Sequence, residues 1–364
     1  MICNLINIYK LCTKNNIRYS FYSESSHYQK YFYNFILLLD KKGKKIIYLS
    51  SDKKDKIYLK NVKNIYIGSG LLRFLLFLLI KTELFFLTVT DLNNNILKKN
   101  KFVNKYIYVF HAAVSMHKTY TKSAFDNYDS ILTVGKYHND ELLNIEQNNN
   151  LKKKDLINSG YFYFDFLLEN ANFEKVENYI LIAPSWNKSK KNFLNNECEV
   201  LIEYLLKKNF NLIFRPHPEH FKRNKVLLNI IREKFEKYTN FNFDTNKNNL
   251  ESLEKSFCLI TDNSGIAIEY TMVFKRPVIY FDKFPKIHND DFEMINLDTF
   301  ENKVKKKFGY KYNLENLNNF EKKLNEINKE FIHKKKDIDN FINENFFNFG
   351  KSSKVVLNYF EKDN

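Results

Sequence analysis

Glycine, proline, cysteine and tryptophan are all scarce in this chain, which has 8, 5, 4 and 1 of them among 364 residues. The four cysteines, Cys3, Cys12, Cys198 and Cys258, form no C-x-x-C pair and have no histidine at the spacing of a metal site. The sequence therefore predicts neither a disulfide framework nor a bound metal. This cysteine usage indicates a reducing compartment, and hence the cytoplasm.

A long uncharged hydrophobic run is also missing. The most apolar segment is Leu71–Leu87, and it is interrupted by Arg73, Lys81 and Glu83. A membrane-spanning helix needs about 20 nearly uncharged residues, so we expect a buried helix followed by a strand here. The N-terminus has no apolar region followed by a small-residue cleavage site, so no signal peptide is predicted.

Positive charge is in excess, with 58 lysines and arginines against 42 acidic residues and a net charge of +16. Part of this lysine content accompanies a general enrichment in Asn, Ile, Phe and Tyr that is typical of A+T-rich codons. The remainder favours anionic partners such as nucleotides, phosphate polymers or an anionic membrane surface. No recognition motif or aromatic–basic module for nucleic acid is found, so no nucleic-acid partner is predicted.

Short β-rich runs alternate with helical patterns through most of the chain, which predicts mainly parallel sheets. The predicted strands are 17–21, 45–50, 64–67, 84–88, 106–110 and 131–134, then 179–183, 212–214, 241–243, 257–260 and 277–281. The pattern becomes mixed and charged around 151–173, so we place a domain boundary there. The predicted domains are 1–170 on the acceptor side and 171–335 on the nucleotide-donor side, followed by C-terminal helices at 336–364 as candidates for packing back on the first domain. Two Rossmann-like domains facing a central cleft form the glycosyltransferase-B arrangement, an α/β fold.

The turn Asp262-Asn263-Ser264-Gly265 lies between a predicted strand and a predicted helix, Ile266–Val273. In open α/β sheets the ligand lies beyond the carboxyl ends of the strands, where helix N-termini offer free N–H groups to an anion. Asp262 or Asn263 can cap this helix, Ser264 supplies a hydroxyl, and Gly265 leaves room for a phosphate. We predict that this turn is part of a cradle for a nucleotide diphosphate.

A second polar turn, Arg215-Pro216-His217-Pro218, follows the predicted strand 212–214. Its prolines restrict the backbone on both sides of the histidine, and Arg215 and His217 can place charge or donors on a leaving diphosphate. Ser185 and Asn187, after the strand 179–183, are further candidates for contacts with phosphate or base. Glu269 can accept hydrogen bonds from ribose hydroxyls; the alternative is a favourable charge near the helix N-terminus.

On the first domain, His111 follows the strand 106–110 and is predicted to face the cleft, where it can serve as a general base. The alternative is a core histidine satisfied by a backbone carbonyl, or a helix cap. Ser115, His117 and Lys118 follow closely and are candidates for the acceptor side.

These residues resemble the CDP-glycerol glycerophosphotransferases, which build teichoic-acid and capsule-like polymers. The resemblance covers 18–347. Its markers are Phe21-Tyr-Ser-Glu, Gly68-Ser-Gly, Thr90-Asp-Leu, Tyr108-Val-Phe-His-Ala-Ala-Val-Ser-Met-His-Lys, Ala124-Phe-Asp-Asn-Tyr-Asp, Val134-Gly, Ala183-Pro-Ser-Trp, Arg215-Pro-His-Pro and Thr261-Asp-Asn-Ser-Gly.

The resemblance implies a transferase that moves a glycerol-phosphate or related polyol-phosphate group from a CDP-linked donor, with no other cofactor. The resemblance implies that His111 is the base and that His217 is a second catalytic residue, in contact with the diphosphate. Arg215 supports that contact, and Asp262, Ser264 and Gly265 form the phosphate turn. Ala112 stands where the family often has glycine, and Gly265 stands where a second serine is expected.

The implied acceptor is a hydroxyl of a surface polysaccharide or a lipid-linked molecule, reached from the cytoplasm with peripheral contact to the anionic inner face of the membrane. A glycosyltransferase that uses a UDP- or CMP-sugar is an alternative. An epimerase of UDP-N-acetylhexosamine shares the fold and the Ser-Gly turn followed by glutamate, but lacks support in the first half of this chain. A non-catalytic subunit of an envelope-polymer complex is the alternative outside enzymes.

Overall fold

The computed structural model of the protein describes residues 17–94, 97–187, 193–281, 283 and 286–362. The residues before Ile17, with Cys3 and Cys12, lie outside the described residues. Cys198 and Cys258 are buried and unpaired.

Two β-sheets, one in each half of the chain, contain all the strands of the described residues, and every pair of neighbouring strands is parallel. The first sheet contains β1 (Tyr19–Ser23), β2 (Ile46–Ser50), β3 (Val62–Tyr66), β4 (Thr82–Leu87), β5 (Val103–Val109), β6 (Ser130–Thr133) and β7 (Asp155–Asn158). The second contains β8 (Tyr179–Ile182), β9 (Asn211–Phe214), β10 (Phe241–Phe243), β11 (Ser256–Thr261), β12 (Val278–Tyr280) and β13 (Gly309–Lys311).

Helices connect the strands and cover both sheets. They are α1 (Tyr33–Lys41), α2 (Gly70–Leu79), α3 (Met116–Thr119), α4 (Lys136–Asn148), α5 (Phe162–Asn170), α6 (Asn196–Lys207), α7 (Pro218–Arg223), α8 (Lys225–Phe235), α9 (Leu250–Lys255), α10 (Ile266–Glu269), α11 (Phe300–Phe308), α12 (Phe320–Lys334), α13 (Ile338–Asn345) and α14 (Ser352–Lys362). Short 3₁₀ helices lie at Gln29–Tyr31, Phe292–Met294, Leu314–Asn319 and Lys335–Asp337, and a π-helical turn lies at Tyr270–Phe274. No helix in the described ranges is long and apolar enough to cross a membrane.

The strand order is β3-β2-β1-β4-β5-β6-β7 in the first sheet and β10-β9-β8-β11-β12-β13 in the second. In both sheets the order therefore reverses beside the first strand, between β1 and β4 and between β8 and β11. Ligands of such sheets bind beyond the carboxyl ends of the strands at this reversal. The two Rossmann-like sheets confirm the predicted α/β fold class.

Several predicted boundaries need correction. The mixed region at 151–173 contains β7, which pairs with β6, and the largely buried α5. A helix and a polar edge strand of four residues give no clear periodicity, which is why the sequence pattern missed them. The strand β13 was missed because its three residues include Gly309 and Lys311.

The end of the chain returns to the first half of the molecule. Helix α14 packs against α1 and α5, and Arg18 donates a hydrogen bond to the carbonyl of Phe360. Helix α13 packs against the π-helical turn of the second half, where Lys275 pairs with Asp339 at 2.6 Å. The C-terminal helices thus contact both halves.

Candidate functional site

The two lobes, defined by the two sheets, touch where the turn after β11 meets the loop after β5. A Cβ placed on Gly265 would lie 3.3 Å from Cγ1 of Val114 and 3.6 Å from Cβ of Ala112. The backbone at Gly265 is ordinary helical, with φ of −60°, so close approach rather than backbone freedom is the reason for glycine here. This contact brings the predicted phosphate turn next to the loop that carries His111.

Three tyrosine rings surround the His111 imidazole. Its ring centre lies 5.4 Å from that of Tyr28, 6.1 Å from that of Tyr31 and 6.1 Å from that of Tyr120. Nδ1 is buried without a hydrogen bond of good geometry among the described residues. Burial lowers the pKa of His111 to about 4, although the Thr88 backbone opposes this shift. His111 is therefore unprotonated at neutral pH, as a proton acceptor must be.

His217 is the N-cap of α7, and its Nδ1 accepts a hydrogen bond from the backbone N–H of Glu219 at 3.2 Å. In the neutral ring the proton must therefore be on Nε2, which remains a donor. Burial lowers the pKa of His217 well below its ordinary value; the positive charge of Lys286 acts in the same direction, as do His220 and His111 when they are protonated. His217 and His111, from different lobes, are thus electrostatic neighbours.

The guanidinium of Arg215 makes its hydrogen bonds within the second lobe. Nη1 donates to the Asp244 carboxylate and Nη2 donates to the carbonyl of Asn246 at 2.7 Å. Its side chain is only 11% exposed. The arginine therefore shapes the turn before His217, and its charge is largely balanced by Asp244.

Ser185 and Asp262 bind each other. Oδ1 of Asp262 accepts from the backbone N–H of Ser185 and Oδ2 accepts from its hydroxyl, both at 2.8 Å. Nε2 of His220 lies 3.0 Å from the carbonyl of Ser185. The two residues thus join the loops after β8 and β11, at the reversal of strand order; their contact with a donor stays a prediction.

The rest of the predicted phosphate turn is more open. Ser264 is half-buried, and its hydroxyl makes no hydrogen bond in the described part of the chain. Oδ1 of Asn263 accepts from Nζ of Lys305 at 2.8 Å. Asn187, two positions after Ser185, is buried, with 6% of its surface exposed. The expected helix Ile266–Val273 is formed by α10 and the following π-helical turn.

Glu269 lies in a buried cluster between the lobes, with Tyr161 and Lys30. Its Oε1 accepts from the hydroxyl of Tyr161 at 2.9 Å, and 5% of its surface is exposed. Burial raises the pKa of Glu269, and the positive charge of Lys30 opposes this shift. Nζ of Lys30 donates to Oδ1 of Asn249 at 3.0 Å and lies 4.3 Å from the Tyr163 ring centre. The structure therefore gives Oε1 of Glu269 a protein partner, and the ribose contact stays a prediction.

Ser115 was predicted on the acceptor side, but it is fully buried. Its hydroxyl accepts from the backbone N–H of Phe300 at 2.7 Å, and its own N–H donates to Oε2 of Glu301 at 2.9 Å. Ser115 therefore joins the loop of the first lobe to the start of α11 in the second.

His117 and Lys118 also make structural contacts. His117 is 2% exposed, and its Nδ1 lies 3.2 Å from Oε2 of Glu141. Nζ of Lys118 lies 5.3 Å from the ring centre of Phe292. Of the acceptor-side candidates, only Lys118 has a partly exposed side chain. Burial thus removes Ser115 and His117 from the surface that an acceptor can reach.

Three residues near the histidines carried no signal in the sequence. Tyr28 and Tyr31 lie between β1 and α1, and neither belongs to one of the sequence motifs. Lys286 follows β12 in a stretch without a motif, yet its charge acts on both His111 and His217. All three come close to the histidines only through tertiary folding.

The comparison with known families gives one assignment. The model of the CDP-glycerol:poly(glycerophosphate) glycerophosphotransferase family matches residues 3–362. The chain belongs to this family, which confirms the resemblance in its motifs.

A curated relative is the minor teichoic acid biosynthesis protein GgaB of Bacillus subtilis (strain 168), with 27% identity over 206 residues. The match spans 50% of this chain and 20% of the length of GgaB.

Solved structures share the fold. The wall teichoic acid polymerase TagF superposes with a TM-score of 0.65 and 14% identity over 100% of this chain and 95% of the other. The UDP-GlcNAc 2-epimerase of Methanocaldococcus jannaschii, in complex with UDP-GlcNAc and UDP, gives a TM-score of 0.58 and 15% identity over 95% of this chain and 99% of the other. At these identities the likeness is one of fold.

Proposed function

We propose that the protein transfers a glycerol-phosphate, or a related polyol-phosphate, from a CDP-linked donor to a hydroxyl of a surface polymer or lipid-linked acceptor. Family membership supports the reaction class. The observation that carries the proposal is the contact of Gly265 with Ala112 and Val114, with distances of 3.6 and 3.3 Å from its would-be Cβ. That contact supports a site in which His111 of the first lobe lies close to the predicted anion-accepting turn of the second.

In the proposed reaction His111 takes the proton of the acceptor hydroxyl. The acceptor oxygen forms a bond to the β-phosphorus of the donor, and the bond from this phosphorus to the bridging oxygen breaks, so that CMP leaves. Phosphoryl transfer depends mainly on positioning and electrostatic stabilisation. A neutral His111 is ready to accept a proton, and the approach of an anionic donor raises its pKa and makes it a stronger base.

The second lobe holds the donor. Nε2–H of His217 and the hydroxyl of Ser264 donate hydrogen bonds to the diphosphate, together with backbone N–H groups at the start of α10. These donors are neutral. Arg215 is balanced by Asp244, so its net charge contributes little to the donor site.

A nucleotide screen tests the function. CDP-glycerol, CDP-ribitol, UDP-sugars and CMP-sugars are added to the protein, and the melting temperature is measured. A ligand at 100 times its Kd stabilises the folded state by about 2.7 kcal/mol, which is readily detected. The donor that binds is then incubated with acceptor polymer, and release of CMP is measured.

We expect stabilisation by CDP-glycerol or CDP-ribitol and release of CMP. Stabilisation by a UDP-sugar alone would favour a nucleotide-sugar glycosyltransferase. No response to any nucleotide, together with co-purification of partner proteins, would favour a non-catalytic subunit.

We also propose peripheral contact with the anionic inner face of the membrane. Leu71 and Leu75 lie one turn apart on α2 and are 72% and 40% exposed, and the chain carries a net charge of +16. Exposed apolar side chains and basic charge together favour an anionic bilayer. Replacing both leucines by serine should weaken sedimentation with phosphatidylglycerol vesicles, whereas Val226→Ser, at a position 75% exposed on the other lobe, should not. Equal sedimentation of all three proteins would contradict the proposal.

A further inference from the structure

Residues 286–289, which come after β12 in the chain, make contacts with both lobes. The backbone N–H of His288 donates to the carbonyl of Lys118 at 3.0 Å, and Nδ2 of Asn289 donates to the carbonyl of His117 at 2.7 Å. On the other side, the His288 ring centre lies 5.3 Å from that of Trp186 in the second lobe. Lys286 is two residues before His288, so it lies close to the contact between the two lobes.

The Lys286 ammonium group lies among groups that do not neutralise it. Burial lowers its pKa, and the negative charges of Asp262 and Glu301 oppose this shift. Both carboxylates have other partners, the N–H and hydroxyl of Ser185 for Asp262 and the N–H of Ser115 for Glu301. Across the described ranges Lys286 has no ion-pair or hydrogen-bond partner. A half-buried cation in this position favours an anionic ligand.

The positive charge of Lys286 acts on two histidines of the candidate site. The Lys286 charge contributes to lowering the pKa of both His111 and His217, which lie on opposite lobes. These histidines are neutral at pH 7 and Arg215 is paired with Asp244. Lys286 is therefore a cation, without a partner among the described residues, that can balance a diphosphate bound between His111 and His217.

We propose that Lys286 binds the β-phosphate of the CDP-linked donor, which is the phosphoryl group that the protein transfers. This inference rests on the proposed function. A lysine ammonium acts as a compact point charge with three donors, and the charge of a transferring phosphoryl group spreads over its equatorial oxygens. Lys286 forms no covalent bond in the step; it stabilises the charge on these oxygens while the acceptor oxygen enters and CMP leaves.

Comparison of CDP with CMP isolates the β-phosphate. We expect Lys286→Met to weaken CDP binding, measured by calorimetry, by about ten- to a hundredfold, the range for one charge-assisted hydrogen bond. CMP has no β-phosphate, so its affinity should change by less than about threefold. Lys286→Arg keeps the charge and should recover part of the CDP affinity.

Lys283→Met is the matched control. Lys283 lies three positions before Lys286 in the sequence, is 65% exposed and pairs with Glu197 at 2.7 Å. Its replacement should leave the affinities for CDP and CMP and the rate of CMP release unchanged. Retained CMP binding also verifies that Lys286→Met is folded.

Unchanged CDP affinity in Lys286→Met, or an equal loss of CMP and CDP affinity, would overturn the inference. If the wild type binds CDP but releases no CMP from CDP-glycerol or CDP-ribitol, the proposed function fails, while the CDP–CMP difference still decides whether Lys286 binds a β-phosphate. A wild type that binds neither nucleotide would contradict both.

Discussion

The pair formed by Ser185 and Asp262 gives a prediction whose size follows from the hydrogen bonds. Asp262→Ala removes the acceptor of two hydrogen bonds and leaves the N–H and hydroxyl of Ser185 without partners. Ser185 is 1% exposed and Asp262 is 6% exposed, so water cannot readily replace the carboxylate. A buried donor left unpaired costs about 1–3 kcal/mol, and we expect a total loss of about 3–5 kcal/mol.

Ser185→Ala removes only the hydroxyl and keeps the backbone hydrogen bond, so we expect a loss of about 1–2 kcal/mol. In the double variant the hydroxyl is absent when the carboxylate is removed. Its cost should therefore fall short of the sum of the single costs by about 1–2 kcal/mol, as expected of two residues in direct contact.

The assay is urea denaturation followed by tryptophan fluorescence. The chain has a single tryptophan, Trp186, next to Ser185, so this signal reports on the second lobe. Asp339→Ala is the control, because this carboxylate also accepts two hydrogen bonds, from Lys275, but is 67% exposed. Exposed ion pairs contribute about 0–1 kcal/mol. Costs for Ser185→Ala and Asp262→Ala that add fully in the double variant would refute the pairing.

Two further predictions concern the seam between the lobes and the response to acid. Gly265→Ala should slow CMP release because the new Cβ would lie 3.3 Å from Cγ1 of Val114. Adding Val114→Ala removes that methyl group and should restore the rate. A double variant no faster than Gly265→Ala would contradict the steric explanation. Burial lowers the pKa of both His111 and His138 to about 4, so below pH 6.5 the unfolded chain takes up protons first. Stability should therefore fall as the pH drops from 6.5 to 4, by about 3 kcal/mol for each histidine. His138→Gln should reduce this change in the free energy of unfolding, measured by urea denaturation at several pH values. An unchanged dependence on pH would contradict a buried, neutral His138.

The turns of the site could be predicted from the sequence because their signals are local. An apolar run followed by Arg-Pro-His-Pro, or by Asp-Asn-Ser-Gly and a helical pattern, identifies the end of a strand within a few residues. The parallel sheet then requires that the turns after β9 and β11 lie at one edge. The same logic placed His111 after β5 on the first lobe.

The partners of these residues could not be predicted in this way. Asp262 pairs with Ser185, which is 77 positions away, and Glu269 pairs with Tyr161, which is 108 positions away. Such pairs depend on how strands and lobes come together, and no local period encodes them. For the same reason the sequence could not distinguish a serine that binds a ligand from Ser115, whose hydroxyl accepts from the start of α11.

The central claim is that His111 acts as the base at a donor site built largely by the other lobe. The most direct measurement compares CMP release and CDP-glycerol affinity in His111→Ala, with His333→Ala as a control at an exposed histidine of α12. We expect CMP release to fall by about 10²–10⁴-fold, the range for loss of a general base, while the Kd for CDP-glycerol changes by less than about threefold. Turnover in His111→Ala comparable to that of the wild type would contradict the account.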